Sequence, residues 1–229
     1  MPARRRALCV ETTIAADLDQ VWELTQDPAQ HVRWDGRFSR ITPEPDSQDF
    51  TYALRLPGVE LSGTGTAVGE RVRADGTRTS ALRFRSGHRL SPLRSGSGYW
   101  RYEPVHGGVR FLTGYAYEPG PQGTRLDDAC VRPAIGWLTA WSFDRLRLWA
   151  ETGLAPEVAL RRTIGITALR VVLAVVALRR RSPAVAVLAT VRAPLRLPRA
   201  RRCRRRARSA GDLQAPTTLA TLHRPRSPA

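Results

Sequence analysis

Apolar and polar residues alternate along much of the first two thirds of the chain, which is the pattern of half-buried β-strands. A first strand is predicted over residues 6–14, and it ends in the alternating segment VETTI. After it, apolar residues at helical spacing over 18–24 predict a helix with Asp17 as its N-cap. A second short helix is predicted over 31–34. The chain therefore opens with a strand and a pair of short helices.

Turn residues divide the next segment into a series of strands. Asp75-Gly76 and Gly107-Gly108 lie between closely spaced strand pairs and indicate hairpins. The six predicted strands cover residues 37–42, 50–56, 59–74, 77–85, 98–105 and 109–118. Short connections of this kind predict an antiparallel meander. Alternation places most of the aromatic residues on one face and the Arg and Glu residues on the other, so the aromatic face should point inward.

A longer helix is predicted over residues 134–151, where apolar residues follow helical spacing on two stripes. One stripe includes Leu138, with Ser142 on the same side. The other includes Trp137 and Trp141. One stripe can cover the sheet, whereas the second needs another partner.

Composition and charge divide the chain into two parts. Of its 229 residues 42% are hydrophobic, which is enough for a core and excludes a wholly disordered protein. The formal net charge is +17, and every basic side chain is Arg, so a Schiff-base lysine is excluded. Residues 1–157 are nearly neutral, whereas 158–229 contain 17 Arg and only one acidic residue, Asp212. Such an asymmetry predicts contact with an anionic surface, either lipid or nucleic acid.

Two segments resemble a known superfamily. VETTIAADLDQVWELTQDPAQHVRWDGRFSRI over 10–41 and YWRYEPVHGGVRF over 99–111 resemble the SRPBCC superfamily, which is also called START or Bet v 1-like. Within it, they are similar to bacterial proteins of the polyketide cyclase/dehydrase and lipid-transport-like branch. The resemblance implies an α+β helix-grip fold, in which a curved antiparallel sheet of about seven strands grips a long C-terminal helix. It also implies a hydrophobic ligand chamber between the sheet and that helix.

Four regions are expected along the chain. They are a basic N-terminal arm over 1–7, a helix-grip domain over 8–151, an apolar helical extension over 152–195 and a disordered, Arg-rich and Pro-rich tail over 196–229.

A chamber of this kind should be lined by aromatic side chains, with a few hydroxyl groups that orient a ligand. The residues predicted to bind the ligand are Trp34, Tyr52, Leu54, Phe84, Trp100, Tyr102, Phe111, Thr113, Tyr115, Tyr117, Leu138 and Ser142. The tyrosines can equally be core aromatics with their hydroxyl groups at the rim. The Trp34-Asp35 pair either lines the mouth of the chamber or is a core tryptophan followed by a turn.

An enzymatic use of the chamber needs a group that polarises a carbonyl and a base that removes a neighbouring proton. Arg145, Tyr102 and Tyr115 are the candidate catalytic residues for such a reaction. Neither a metal site nor a cofactor is predicted. The four histidines, His31, His88, His106 and His223, are too scattered for a metal triad and are interpreted as solvent-exposed or capping residues. No nucleotide-binding or nucleophile motif has a suitable context.

The segment 163–178 is apolar apart from Arg170 and two threonines. It is shorter than the roughly 20 residues of a spanning helix. Three alternatives remain open for it: docking on the domain or on another chain, lying on an anionic membrane surface, and spanning the membrane. The run over 196–208 could contact phosphates without sequence specificity, but it has no aromatic residues that would stack on bases.

The main functional hypothesis is therefore binding of a hydrophobic small molecule, lipid-like or polyketide-like, with attachment to the membrane surface through the C-terminal extension. A cyclase/dehydrase-type enzyme that uses the same cavity is the first alternative. A nucleic-acid-associated protein acting through the tail is the second. A cytoplasmic location is expected, either free or at the inner membrane surface, because the N-terminus lacks a secretory signal. The sequence does not define an oligomeric state.

Overall fold

The computed structural model describes residues 7–180 together with 201 and 202. Strand β1 (Leu8–Ile14) is followed by helices α1 (Leu18–Gln26) and α2 (Pro28–Trp34). Six strands come next: β2 (Arg40–Pro43), β3 (Asp49–Leu56), β4 (Val59–Val72), β5 (Arg78–Arg85), β6 (Leu93–Val105) and β7 (Gly108–Pro119). The predicted order of a strand, a helix pair and an antiparallel return is confirmed.

The C-terminal half of the structure is helical. A short helix α3 (Gly123–Leu126) and a π-helical turn (Asp127–Val131) lead into the long helix α4 (Arg132–Thr152). Helix α5 (Pro156–Arg180) follows, and Arg201–Arg202 form a two-residue strand β8. The remainder of the expected helical extension and tail lies outside the described residues.

Local sequence explains where the helices begin and end. The Asp17 carboxylate accepts the backbone N–H of Asp19 at the start of α1, as expected for an N-cap. Asp27 caps α2 in the same way, and Pro28 occupies the first helical position. Helix α4 ends at Gly153, whose φ of +68° gives the left-handed conformation that glycine adopts at little cost.

The strands form one antiparallel sheet in the order β2-β3-β4-β5-β6-β7-β1-β8. Strand β1 closes the meander by pairing with β7, and Val10 lies opposite Thr113. Strands β1 to β7 form a curved sheet with α4 after it, which is the helix-grip fold that the family resemblance implies. Strand β6 begins at Leu93, earlier than the predicted residue 98, and its pairing with β7 is irregular at that end.

Glycines in the sheet make room for aromatic rings on its inner face. A Cβ atom at Gly65 would lie 2.2 Å from the Phe50 ring, and one at Gly63 would lie 2.4 Å from the Tyr52 hydroxyl. The rings of β3 therefore lie directly over the glycines of β4, which holds these two strands close together.

The two ends of α4 have different surroundings. Its C-terminal half packs into a dense core, where Phe143 and Leu146 are fully buried with Trp34, Tyr102 and Phe111. Its N-terminal half contributes Ile135 and Leu138 to the wall of a cavity. The long helix thus seals one end of the sheet and leaves a space at the other end.

Helix α5 is attached to the domain near its beginning and is exposed further along. The Arg33 Nε atom donates to the Glu157 carboxylate at 2.8 Å, which joins α2 to the first turn of α5. Beyond that point Ile164, Leu169, Val171, Val172 and Val175 are between 43% and 59% exposed. In the part of the chain that the structure describes, no helix combines the length and apolar character needed to cross a membrane.

Candidate functional site

A cavity of about 240 Å³ lies between the inner face of the sheet and the N-terminal half of α4. Its wall is mainly apolar and aromatic, and every strand from β3 to β7 contributes to it. The volume lies slightly below the roughly 300–1,000 Å³ of typical ligand pockets. A ligand that fits inside is therefore small.

Seven of the twelve residues predicted to bind a ligand line this cavity. They are Tyr52, Leu54, Phe84, Trp100, Thr113, Tyr115 and Leu138. Tyr52 lies near the outer strands, where burial raises the pKa of its phenol to about 12. Burial also raises the pKa of the Tyr115 phenol, although neighbouring Arg37 opposes that shift. Both phenols are therefore neutral at physiological pH.

Three of the other predicted residues belong to the core beside the cavity. The Trp34 indole N–H donates to the Leu24 carbonyl at 2.9 Å. Phe111 packs against Phe143 with ring centroids 4.5 Å apart. The Tyr102 phenol is fully buried. Burial raises its pKa, although hydrogen bonds with α1 oppose the shift. These side chains are buried in the core, but they do not line the cavity.

The last two predicted residues have structural partners of their own. The Tyr117 hydroxyl donates to the Asp127 carboxylate at 3.0 Å, which connects β7 to the π-helical turn. The Ser142 hydroxyl accepts the Gly36 backbone N–H at 3.0 Å and donates to the Leu138 carbonyl. Neither residue lines the cavity.

Arg145, the predicted catalytic cation, also lies outside the cavity wall. Its Nη2 atom donates to the Arg33 carbonyl at 2.6 Å, and its guanidinium lies 4.7 Å from the centre of the Trp141 ring. The side chain therefore joins α4 to α2. Of the three candidate catalytic residues, only Tyr115 reaches the cavity.

A buried polar cluster that the sequence does not predict lies at the cavity. It consists of His31, Asp35 and Arg37, of which His31 and Arg37 line the wall. The Arg37 Nε atom donates to Asp35 Oδ1 at 2.9 Å and its Nη2 atom to Oδ2 at 2.6 Å. His31 Nε2 lies 3.0 Å from Asp35 Oδ2. The Asp35 side chain has no exposed surface, so both neighbours act on a carboxylate that water does not reach.

Burial and mutual charge interactions determine the protonation states of the three groups in this polar cluster. Burial would raise the pKa of Asp35, but the charge and hydrogen bonds of Arg37, with those of His31, outweigh it and keep that pKa far below its ordinary value. Burial lowers the pKa of His31, and its hydrogen bond to the Asp35 carboxylate and the charge of that carboxylate only partly oppose this. At neutral pH the cluster therefore contains one anion, one cation and a neutral imidazole.

The imidazole of His31 is held among aromatic rings. It stacks on Trp34 with centroids 4.9 Å apart and meets Trp100 edge-on at 4.8 Å. The sequence-based interpretation of His31 as a solvent-exposed or capping residue is wrong, because the side chain is buried. Its i, i+4 spacing from Asp35 on a short helix is the signal that could have identified the pair.

A second polar group lies between the cavity and the core. Gln26 lines the cavity, and its amide nitrogen donates to the Tyr102 hydroxyl at 2.9 Å. Its amide oxygen accepts from Ser80 at 3.3 Å. Within residues 7–180 and 201–202, no group of three or more His, Cys, Asp or Glu side chains could hold a metal ion.

Comparison with known proteins assigns the chain to a family. The family model described as "Polyketide cyclase / dehydrase and lipid transport" matches residues 7–151. An uncharacterized membrane protein of Bacillus subtilis (strain 168), YndG, is 43% identical over 169 residues. This match covers 70% of the present chain, and the chain spans only 63% of the length of that relative.

Solved structures share the fold at low sequence identity. The hypothetical protein jhp0584 of Helicobacter pylori has a TM-score of 0.52 at 13% identity, covering 66% of this chain and 91% of that one. The di-domain ARO/CYC StfQ from the steffimycin biosynthetic pathway has a TM-score of 0.51 at 16% identity, covering 65% of this chain and 52% of that one. Because the family model matches the whole helix-grip domain, the chain belongs to the polyketide cyclase/dehydrase and lipid transport family.

Proposed function

We propose that this protein binds a hydrophobic small molecule, lipid-like or polyketide-like, in the cavity between its sheet and helix α4. The observation that carries the proposal is the cavity of about 240 Å³ with a mainly apolar wall. An apolar ligand inside it would be removed from water at a gain of roughly 25 cal/mol per Å² of buried apolar surface. The family's lipid-transport and cyclase members support this class of ligand.

The binding test uses the fluorescent probe N-phenyl-1-naphthylamine and a pair of adjacent substitutions on β4. Ala67 lines the cavity, whereas Val68, the next residue on β4, does not line it and is 37% exposed. Ala67→Phe should fill the cavity and weaken probe binding about tenfold, which corresponds to about 1.4 kcal/mol. Val68→Phe adds the same ring outside and should leave the affinity unchanged.

Native mass spectrometry of the purified full chain provides a second readout. A co-purified small molecule should be present in the original protein and in Val68→Phe but absent from Ala67→Phe. A probe that binds all three proteins equally, or none of them, would contradict the proposal.

The second part of the proposal is that α5 attaches the protein to an anionic membrane surface. Its exposed residues Ile164, Val171 and Val175 lie within a narrow sector of the helix, and Val172 and Leu169 widen the same apolar face. Arginines precede this face at 161–162 and follow it at 179–181. An apolar face with cations at both ends suits a helix that lies in the headgroup region. The name of the Bacillus subtilis relative as a membrane protein supports the same placement.

Two leucines with similar exposure allow a matched test. Leu169 is 58% exposed on α5, and Leu90 is 68% exposed on a loop of the domain. Leu169→Asp should reduce co-sedimentation of the full chain with phosphatidylglycerol vesicles about tenfold or more, because a leucine contributes roughly 1.5–3 kcal/mol when buried. Leu90→Asp should bind as the original protein does. Equal vesicle binding by both variants would refute the attachment through α5.

A further inference from the structure

The cavity wall includes two members of the buried polar cluster, whose groups are already paired with one another. His31 and Arg37 line the wall, and Asp35 lies behind them and pairs with both. The rest of the wall is dominated by side chains such as Phe84 and Leu138. A ligand in this space therefore meets a mainly apolar surface together with the polar cluster.

The polar cluster still has hydrogen-bond donors to offer. A guanidinium has five N–H donors, and Asp35 accepts two from the Arg37 side chain. The Tyr115 hydroxyl interacts with the same guanidinium. Among the described residues, no other group accepts the remaining Arg37 N–H donors. A ligand oxygen beside Arg37 would find an ionised donor on a largely buried side chain, and hydrogen bonds from ionised donors are stronger than those between neutral groups.

The same cluster has no cationic charge left for an anion. The negative charge of Asp35 balances that of Arg37, and His31 is neutral because burial lowers its pKa. Arg145 also acts on Asp35 from α4, but it does not line the cavity. A carboxylate placed beside Arg37 would lose its hydration and be repelled by Asp35. A neutral acceptor, such as a ketone oxygen, has no charge to be stripped of its hydration or repelled by Asp35.

We infer that the cavity selects a neutral, oxygen-bearing apolar ligand, whose carbonyl oxygen accepts a hydrogen bond from Arg37, and that Asp35 excludes carboxylic acids of the same shape. This inference rests on the proposed function, since it concerns the same cavity. It makes Asp35 a specificity-determining residue that acts through Arg37 without needing to touch the ligand.

Three naphthalenes of nearly equal size test this selectivity: 2-acetylnaphthalene, 2-ethylnaphthalene and 2-naphthoate. Each competes with N-phenyl-1-naphthylamine for the full chain at neutral pH. The ketone should bind about tenfold tighter than the hydrocarbon, and the carboxylate should bind more weakly than the hydrocarbon. If the hydrocarbon and the probe both fail to bind, the proposed function fails too. If they bind and the three affinities are equal, only the present inference is overturned.

Substitution of Asp35 should change the order of affinities. Asp35→Asn keeps the shape of the side chain but leaves the charge of Arg37 unbalanced, so 2-naphthoate should become the tightest ligand of the three. The double variant Asp35→Asn with Arg37→Met removes both charges and covers the case in which the single variant does not fold. In the double variant the preference for 2-acetylnaphthalene over 2-ethylnaphthalene should disappear, because no charged donor remains for the ketone oxygen. A ketone preference that survives in the double variant would overturn the role of Arg37.

Discussion

Asp35 should contribute strongly to stability, because its buried carboxylate takes part in four hydrogen bonds. It accepts the Arg37 backbone N–H at 3.0 Å as well as two side-chain N–H groups. It also lies 3.0 Å from His31 Nε2. Asp35→Asn keeps an oxygen acceptor but removes the negative charge. The variant is therefore left with a largely buried cation that has no anionic partner.

The magnitude follows from the burial of the two charges. Removing one partner of a buried ion pair costs about 3–5 kcal/mol. The Asp35 side chain has no exposed surface, whereas that of Arg37 retains 19%. Water can still reach part of the guanidinium, so the lower end of the range, about 3 kcal/mol, is expected. A loss of this size changes the folding equilibrium constant about a hundredfold.

Urea unfolding followed by tryptophan fluorescence measures this loss. The matched control is Glu60→Gln, because Glu60 also contacts two arginines, Arg40 and Arg55, but lies at the surface. An exposed ion pair contributes about 0–1 kcal/mol, so this control should unfold almost as the original protein does. The double variant with Arg37→Met should lose less than the two single losses added together. A loss below about 1 kcal/mol for Asp35→Asn, or simple additivity in the double variant, would refute the reasoning.

Three further predictions concern single groups in the core and sheet. Tyr102→Phe removes a buried hydroxyl that lies 2.6 Å from the Thr25 hydroxyl. Urea unfolding should show that the free energy of unfolding falls by about 1–2 kcal/mol. An unchanged free energy would contradict a stabilising role for this hydroxyl. The free energy of unfolding should decrease as the pH falls below 6.5, because the lowered pKa of folded His31 makes the unfolded chain bind protons first. In His31→Gln this part of the pH dependence of Tm should vanish, and an unchanged slope would exclude His31 as its source. Gly65→Ala places a Cβ 2.2 Å from the Phe50 ring. The free energy of unfolding in urea should therefore fall by about 1–3 kcal/mol. Stability equal to that of the original protein would show that the ring moves freely.

Hydrophobic periodicity was sufficient to predict the elements and their order, whereas the helix-grip arrangement was implied by the resemblance to the SRPBCC superfamily. The long helix predicted over 134–151 is observed as Arg132–Thr152. The hairpin at Gly107-Gly108 joins β6 and β7 as expected. These features depend on residues close to one another in the chain, which is where sequence patterns are informative.

The hydrogen-bond partners of the inward-facing tyrosines could not be predicted in the same way. Alternation correctly directs Tyr102 and Tyr117 inward, but it does not show that Gln26 and Asp127 occupy their hydroxyl groups. Such contacts depend on how α1 and the π-helical turn pack against the sheet. Periodicity identifies a face of a strand and not what lies opposite that face.

Arg37 and Arg145 show the same limit for charged residues. The predicted strand began at residue 37, whereas β2 begins at Arg40. Before it the chain makes a turn, in which the Phe38 N–H donates to the Asp35 carbonyl and the Arg37 side chain donates to the Asp35 carboxylate. Arg145 lies on the helix face that meets α2, not on the face that meets the cavity. In a sequence with many arginines, only the packing of the elements distinguishes a site residue from a structural one.

The most direct test of the account is a crystal structure of the full chain with 2-acetylnaphthalene. The account predicts the naphthalene rings inside the cavity, among side chains such as Phe84, Trp100 and Leu138. The ketone oxygen should lie within hydrogen-bonding distance, about 2.7–3.2 Å, of an Arg37 nitrogen. Ligand density only on the outer surface, or a ketone directed away from Arg37, would contradict it.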